Sequence, residues 1–372
     1  MSTRYIGLMS GTSLDGIDAV LVELHSTAPL NVVSHAHSAF AEGTRRELLA
    51  LNSSSEDELH RAALAGNALA RQCAALIETL LVQASVDRRS VTAIGAHGQT
   101  VRHRPGEFDG VGYTVQLLAP ALLAELTGID VICDFRSRDV AAGGQGAPLV
   151  PAFHGAIFGH RAPSAAILNI GGISNITVIR DQQVVAGFDC GPGNALMDYW
   201  SQRHTSARFD DRGAWAASGT VDDRLLAALL CEPYFSLPPP KSTGRDLFNP
   251  SWLEARLQAF GAPIGPVDVQ ATLAELTAHV CAKDVRTFAS DGKLAVICGG
   301  GAFNKHLLNR IAAHLPSTHV SRSDDLGLPA DQVEACAFAW LASAFVERRA
   351  GNLPLVTGAR APRVLGALYP AG

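Results

Sequence analysis

The sequence predicts an α/β protein built from two related lobes, and three observations support this. Its 372 residues exceed the roughly 100–200 residues of a typical domain, so two domains are expected. A glycine-rich strand–turn–strand pattern occurs twice, around Gly11 and Gly172, at an offset of 161 residues. Two buried-strand patterns, residues 91–96 and 294–298, each lead directly into glycines. The alternative is that strands followed by glycine are common in any α/β protein.

The composition describes a globular chain and excludes several classes of protein. Hydrophobic residues make up 47% and charged residues 17% of the sequence, which is not the composition of a disordered chain. The net charge of -5 argues against a nucleic-acid partner. No signal peptide is expected, because no stretch near the N-terminus pairs a basic region with an apolar one. A membrane span is not expected either, because polar residues and Pro120 interrupt the most apolar window. The seven scattered cysteines include no C-x-x-C pair and indicate a reducing compartment, here the cytoplasm.

The first hairpin carries the most informative turn in the chain. Apolar runs at residues 5–9 and 17–22 predict two strands, and the turn between them is rich in Ser, Thr, Gly and Asp. Small residues let a backbone approach a phosphate closely, and successive N–H groups form an anion-binding concavity. The alternative is an ordinary hairpin turn of the same composition.

Helical and strand patterns alternate after the hairpin, as an α/β fold requires. Ser55 and Glu58 fit a capping box for a long Ala/Leu-rich helix over residues 56–83. Pro120 suits the first turn of a shorter helix, and Gly128 suits its end.

A glycine-rich segment at residues 141–151 is the strongest candidate for a domain boundary. The predicted lobes are therefore residues 1–140 and residues 141–372, with the option that the last helix packs back on the first lobe. In the second lobe a strand is predicted to end at Asp189, where a Gly-Pro-Gly turn leads into a helix.

Seven motifs, in order over nearly the whole chain, resemble those of the anhydro-N-acetylmuramic acid kinase family. They are MSGTSLDGID (9–18), HGQT (97–100), GQGAPLVP (144–151), NIGGISN (169–175), FDCGPGN (188–194), PPKSTGR (239–245) and CGGGAFN (298–304). That family resembles the actin/hexokinase/Hsp70-type ATPases, in which two duplicated α/β lobes hold the nucleotide in a central cleft. The resemblance thus implies the same fold here and agrees with the repeat.

The resemblance implies ATP-dependent hydrolytic opening of 1,6-anhydro-N-acetylmuramic acid to give N-acetylmuramic acid 6-phosphate, in peptidoglycan recycling. Breaking the anhydro bond resembles inverting glycoside hydrolysis, in which a carboxylate activates water against the anomeric carbon. The γ-phosphoryl group can accept the departing O6, so one carboxylate would suffice. We assign this general base to Asp189, because its place at the end of a strand should project the side chain outward. The alternative is that Asp189 only caps the following helix.

The resemblance also implies ATP and Mg2+ as ligands of the glycine-rich turns, although the chain has no Walker-type P-loop. Mg2+ is assigned to Asp15 and Asp18, since this chain has Met9-Ser10 where relatives of the broad superfamily usually carry an aspartate. For the glycines at 299–301 the alternative is tight strand–helix packing. The expected ATP-binding residues are Gly11, Thr12, Ser13, Leu14, Asp15, Gly16, Ile17, Asp18, Gly171, Gly172, Gly191, Gly193, Gly299, Gly300, Gly301 and Asn304.

The expected substrate-binding residues are His97, Gln99, Arg136 and Glu334. The lactyl carboxylate of the sugar needs a cation or several N–H donors, for which Arg136 is the first candidate and Arg138 the second. The alternative for each residue is a structural ion pair or a core position.

Two motif residues have no assigned role, and two alternative functions are retained. Lys241 and Arg245 lie in one of the seven motifs without an evident physical role. The expected partner is a small-molecule substrate, and a homodimer is expected from the resemblance alone. Two other functions stay open: a kinase for another amino sugar, and a non-enzymatic nucleotide-dependent clamp of the same fold.

Overall fold

The chain divides into two compact units. The computed structural model describes residues 2–11, 14–25, 30–244 and 246–372, so the predicted ATP contacts Thr12 and Ser13, and also Arg245, lie outside the described residues. The first unit joins Met1–Phe153 to Gln332–Gly372, and the second is His154–Asp331. The sequence predicts a boundary at residue 140, with the option that the last helix packs back on the first lobe.

The first unit contains a sheet, a separate hairpin and several helices. Its strands are β1 (Ser2–Met9), β2 (Gly16–His25), β3 (Asn31–Ala39), β4 (Val91–Ala96), β5 (Gln99–Pro105), β6 (Gly112–Leu117), β7 (Val131–Cys133) and, at the chain end, β13 (Ala367–Tyr369). Its helices are α1 (Glu42–Ala50), α2 (Glu58–Ala84), α3 (Pro120–Thr127), α4 (Ser137–Ala141), α12 (Val333–Val346) and α13 (Pro354–Thr357), while α5 (Val150–Phe158) includes the boundary. The sheet has the order β13-β7-β4-β1-β2-β3, and β5 pairs with β6.

The second unit has one sheet with the order β10-β9-β8-β11-β12 among the residues that the structure describes. Its strands are β8 (Ala165–Ile170), β9 (Ile173–Arg180), β10 (Gln183–Pro192), β11 (Leu294–Cys298) and β12 (His319–Arg322). Its helices are α6 (Ala195–Thr205), α7 (Ala214–Ala217), α8 (Asp223–Leu230), α9 (Pro250–Phe260), α10 (Pro266–Phe288) and α11 (Lys305–His314).

The two sheets share one topology, which confirms the predicted α/β class and its duplication. Each begins with three antiparallel strands in sequence, β1–β2–β3 in one unit and β8–β9–β10 in the other. Each then adds a strand parallel to the first, β4 or β11, and a further parallel neighbour, β7 or β12. Parallel neighbours need a crossover connection, and the long helices α2 and α10 lie within the corresponding connections.

Helix α12 packs closely on the first sheet at two glycines. A Cβ on Gly7 would lie 1.9 Å from the carbonyl oxygen of Ala335, and a Cβ on Gly95 would lie 2.0 Å from that of Phe338. Such a close approach of two backbones excludes any side chain at these glycines. The last helix therefore belongs to the first unit.

Several predicted elements match the structure, and two details differ. The long helix is α2, and α3 begins at Pro120 and ends before Gly128, as predicted. The capping box is wrong, because the N-cap is Asp57 and the Ser55 hydroxyl instead accepts a hydrogen bond from Arg61. Strand β10 continues beyond its predicted end, so Asp189 lies within it. Over the described ranges, no helix has both the length and the apolar character that crossing a membrane would require.

Candidate active site

Asp189 lies at a β-bulge in the last part of β10. The pairing of β10 with β9 changes register between Asp189 and Gly191, and such bulges bend a strand and redirect side chains, often beside active sites. Gly191 has φ 155°, and a Cβ there would lie 2.6 Å from Cε1 of Phe235. A bulge that requires glycine, and not the strand end that the sequence predicted, therefore sets the direction of the Asp189 side chain.

A returning segment, residues 234–243, holds Asp189 by its backbone and its side chain. The N–H of Thr243 donates to Oδ2 of Asp189 at 3.0 Å. The N–H of Asp189 donates to the carbonyl of Lys241 at 3.3 Å, and the Tyr234 hydroxyl donates to the carbonyl of Asp189 at 2.8 Å. Asp189 is only 6% exposed, and the N-cap of α6 is Asn194. These contacts suit an oriented general base better than a helix cap.

The buried His97 and the half-buried Arg136 form a hydrogen-bonded pair in the first unit. Arg136 donates from Nε and Nη2 to Nε2 of His97 at 3.1 and 3.0 Å. Because a guanidinium can only donate, the proton of the neutral ring is on Nδ1, which lies 3.1 Å from the carbonyl oxygen of Ser10. Burial, and next the charge of Arg136, lower the pKa of His97 to about 3. His97 thus connects the turn after β1 to Arg136, and both ring nitrogens bond within the unit.

Gln99 forms hydrogen bonds with the residues that begin the same turn. The hydroxyl of Ser10 donates to Oε1 of Gln99, and Nε2 of Gln99 donates to the carbonyl of Gly11 at 3.2 Å. Gln99 is 1% exposed. Its side-chain amide therefore orients the backbone that leads into the predicted phosphate turn, and it lies under that turn, not at its surface.

The predicted phosphate turn contains both buried and exposed residues. Leu14 and Ile17 are buried in the hydrophobic core of the first unit. A Cβ on Gly16 would lie 2.4 Å from the carbonyl oxygen of Ser38, so this glycine serves the packing of β2 against β3. Asp15 is exposed, which leaves its carboxylate at the surface beside the turn.

Asp18, the second predicted metal ligand, is engaged by two imidazoles. Its Oδ1 lies 2.9 Å from Nδ1 of His37 and 3.4 Å from Nε2 of His35. Within the described ranges, no group of three or more His, Cys, Asp or Glu residues could hold a metal ion. Mg2+ commonly uses one or two carboxylates together with substrate phosphates. Asp15 is exposed and so lies where phosphate oxygens could share such an ion, and Asp18 would have to exchange its imidazole contacts to do the same.

The glycines around the second hairpin bond to one another. The N–H of Gly193 donates to the carbonyl of Gly172 at 3.0 Å, and the N–H of Asn194 donates to that of Gly171 at 2.8 Å. A Cβ on Gly193 would lie 2.3 Å from the carbonyl oxygen of Gly171. The turn between β8 and β9 therefore takes up N–H groups at the start of α6 that the sequence had assigned to a phosphate.

Of the three glycines after β11, two are closely packed and one is exposed. A Cβ on Gly299 would lie 2.8 Å from the carbonyl oxygen of Ile170, and one on Gly301 would lie 2.4 Å from Cγ2 of the same residue. Tight packing thus explains these two glycines. Gly300 is exposed, and the side chain of Asn304 caps α11 by accepting the N–H of Leu307 at 3.0 Å.

Sequence reasoning missed Asp139, which anchors the backbone beside Arg136. This buried carboxylate accepts hydrogen bonds from the Gly146 N–H at 2.8 Å, from Asn352 at 2.6 Å and from Thr357 at 2.8 Å. Arg136 donates from Nη1 to the carbonyl of Gly146 at 2.7 Å. Asp139 thereby holds the N–H of Gly146, the residue whose carbonyl accepts from Arg136. The remaining predicted substrate contact, Glu334, lies half-buried in the first turn of α12.

Two buried histidines, His97 and His154, and the partly buried His103 predict that the protein loses stability in mild acid. Burial lowers the pKa of His97 and His154 to about 3 and that of His103 to about 4, whereas the unfolded chain titrates near pH 6.5. Below about pH 6.5 the unfolded state binds protons that the folded state does not, so the free energy of unfolding falls as the pH falls. Each histidine contributes about 1.4 kcal/mol per pH unit between about 6.5 and its folded pKa.

Urea unfolding followed between about pH 7 and about pH 5 measures this slope. The exposed His60 provides the control, because His60→Gln should leave the slope unchanged. A free energy of unfolding that is constant over this range would contradict the prediction.

The whole chain is similar to proteins of one enzyme family. The family model described as anhydro-N-acetylmuramic acid kinase matches residues 3–371. A protein of that name from Variovorax paradoxus (strain S110) is 60% identical over 373 residues, which cover 99% of both chains. Another of that name, from Cupriavidus pinatubonensis (strain JMP 134 / LMG 1197), is 57% identical over 99% of this chain and 98% of its own. Among solved structures, component A of the Acidaminococcus fermentans (R)-2-hydroxyglutaryl-CoA dehydratase has a TM-score of 0.49 and 13% identity, covering 91% of this chain and 96% of that one.

Proposed function

The chain belongs to the anhydro-N-acetylmuramic acid kinase family, and from this premise we propose how its residues act on 1,6-anhydro-N-acetylmuramic acid. The protein is an ATP-dependent sugar kinase that opens the anhydro ring with water and phosphorylates O6. The products are N-acetylmuramic acid 6-phosphate and ADP, and the reaction serves peptidoglycan recycling. The observation that carries the proposed mechanism is the buried, hydrogen-bonded carboxylate of Asp189 at the β10 bulge.

In the proposed mechanism, Asp189 removes a proton from water as the water attacks the anomeric carbon C1. The C1–O6 bond breaks, its electron pair stays on O6, and O6 forms the new bond to the γ-phosphorus, which releases ADP. Attack opposite the departing oxygen is the geometry of an inverting glycosidase. Because O6 leaves as a phosphate ester, one carboxylate is enough. The hydrogen bond from Thr243 supports this role, since it fixes one oxygen of the base.

In the first unit we propose Arg136 as the partner of the lactyl carboxylate. Its guanidinium is held from one side by His97 and from the other by the carbonyl of Gly146, which favours a fixed orientation for a planar carboxylate. His97 and Gln99 are proposed to act indirectly, by holding Arg136 and the turn after β1. Glu334 remains a predicted contact to the sugar.

The protein uses ATP, and we propose that the turn after β1 holds its phosphates by backbone N–H groups. Thr12 and Ser13 remain predicted hydroxyl contacts. Asp15 would hold Mg2+ together with phosphate oxygens, and bound Mg2+ supplies charge neutralisation during phosphoryl transfer. The exposed Gly300 is the proposed adenosine contact among the glycines after β11.

We propose that the protein works in the cytoplasm. Its seven cysteines are free thiols, which fits a reducing compartment. A homodimer remains a prediction from the family resemblance.

A substrate panel tests the proposed function. ADP release is measured with 1,6-anhydro-N-acetylmuramic acid, with N-acetylmuramic acid, with N-acetylglucosamine and without sugar. We expect ADP release only with the anhydro sugar, in equal amount to the 6-phosphate. Release with the unbridged sugars alone would indicate an ordinary amino-sugar kinase, and sugar-independent ATP turnover would indicate a nucleotide-dependent clamp.

A further inference from the structure

We infer that Lys241 is a positioning residue for Asp189, because its buried ammonium fixes residues 234–243 against β10. This inference deepens the proposed function and rests on it, because it takes Asp189 as the base. It gives Lys241 the physical role that its sequence motif alone did not reveal.

Lys241 bonds to another residue of the returning segment and also contacts strand β10. The residue is 7% exposed, and its Nζ donates to the carbonyl of Tyr234 at 3.3 Å. The same ammonium lies 4.7 Å from the ring centroid of Tyr234 and 5.5 Å from that of Phe188, the residue before Asp189, which are cation–π distances. The backbone carbonyl of Lys241 accepts the N–H of Asp189. Lys241 thus connects the segment to the strand at the Phe188 ring and at the N–H of Asp189.

Asp284 is a second buried charge, on helix α10, and is 4% exposed. Burial raises the pKa of Asp284, and the charge of Lys241 opposes that rise. Burial lowers the pKa of Lys241, and the charge of Asp284 is the largest effect opposing that fall. The two opposite charges are therefore expected to favour each other's ionised form.

The attachment at Lys241 also affects the direction of the Asp189 carboxylate. Its Oδ2 is held by the N–H of Thr243, which lies two residues after Lys241. If the ammonium is removed, the segment loses its attachment at Tyr234 and Phe188, and the Thr243 N–H loses its fixed position. A misdirected base lowers the rate of the chemical step without weakening ATP binding, because ATP contacts are proposed elsewhere.

The test compares Lys241→Met, Lys241→Arg, Asp284→Asn and the double variant Lys241→Met/Asp284→Asn, with Lys293→Met on the exposed surface as the matched control. We expect Lys241→Met to lower kcat by about 10-fold or more and to change KM for ATP by less than about 2-fold. Lys241→Arg keeps the charge and should recover part of kcat. The double variant should regain thermal stability relative to either single variant, because neither charge is left unpaired, but it should not regain kcat.

The acid limb of the kcat–pH profile gives a second measurement. The titratable groups whose charges affect the pKa of Lys241 are Asp284, Cys190, Lys283 and Asp189, and its ammonium bonds to the carbonyl of Tyr234. Without the Lys241 charge, the ionised form of Asp189 is less stable, so the acid limb should move to higher pH. A purely structural role would lower the melting temperature of Lys241→Met while its kcat and pH profile stayed as in wild type, and that result would overturn the inference.

Carbon-13 NMR of labelled aspartate separates this inference from the proposed function. The Asp189 signal is assigned by its loss in Asp189→Asn, and its titration is compared between wild type and Lys241→Met. An unchanged titration overturns the positioning role, whatever Asp189 does. A changed titration with unchanged kcat upholds the positioning of the carboxylate and overturns Asp189 as the base.

Discussion

Asp189→Asn is expected to fold and to bind ATP while its turnover falls by about 10²–10⁴-fold, the usual contribution of a positioned base. The amide oxygen can still accept the N–H of Thr243 that now bonds Oδ2, so the bulge and the returning segment should persist. The amide cannot take a proton from the attacking water. The loss should therefore appear in kcat and not in KM for ATP.

Steady-state ADP release measures this loss, and calorimetric titration with an ATP analogue confirms that the variant still binds nucleotide. Asp181→Asn is the matched control, since Asp181 is exposed in the turn that leads into β10. Near-wild-type turnover of Asp189→Asn would remove Asp189 from the mechanism.

Arg136→Met is expected to raise KM for 1,6-anhydro-N-acetylmuramic acid by roughly 10–100-fold. A charge-assisted hydrogen bond contributes about 1.5–3 kcal/mol, and about 1.4 kcal/mol corresponds to a factor of ten. Arg71→Met is the control, because Arg71 is exposed on α2 in the same unit.

A substrate without the lactyl group separates binding from folding effects at Arg136. If Arg136 pairs with the lactyl carboxylate, Arg136→Met should leave KM for 1,6-anhydro-N-acetylglucosamine unchanged. Equal increases for both sugars would show that Arg136 acts only through His97 and Gly146, which it holds in the first unit.

Local patterns predicted many of the elements of this fold. Strands β4 and β11 have the predicted limits, and Pro120 and Gly128 mark the ends of α3, because buried strands and helix ends are encoded by neighbouring residues. The duplication was predicted for a similar reason, since each hairpin and each strand with a glycine exit is a local pattern. The capping box at Ser55 failed because the same residue types also occur in loops.

The contacts of the site could not be predicted, because they join residues distant in sequence. Asp139 bonds to Asn352, which is 213 residues further along the chain, and no local pattern records that pairing. His97 was predicted to bind sugar from its residue type, yet its partner is Arg136, 39 residues away. The role of Lys241 depends likewise on its contacts with Phe188 and Asp189 in β10. The bulge at Asp189 requires the glycine at position 191. That glycine could be recognised as part of a bulge only once the structure was known.

The anomeric configuration of the first product molecules tests the central claim most directly. In the substrate the C1–O6 bond lies on the β face, and water activated by Asp189 is proposed to attack from the opposite face. Proton NMR during the first turnovers should therefore show the α-anomer of N-acetylmuramic acid 6-phosphate before mutarotation mixes the two forms. If the β-anomer forms first, water does not attack opposite O6, and the mechanism proposed for Asp189 is contradicted.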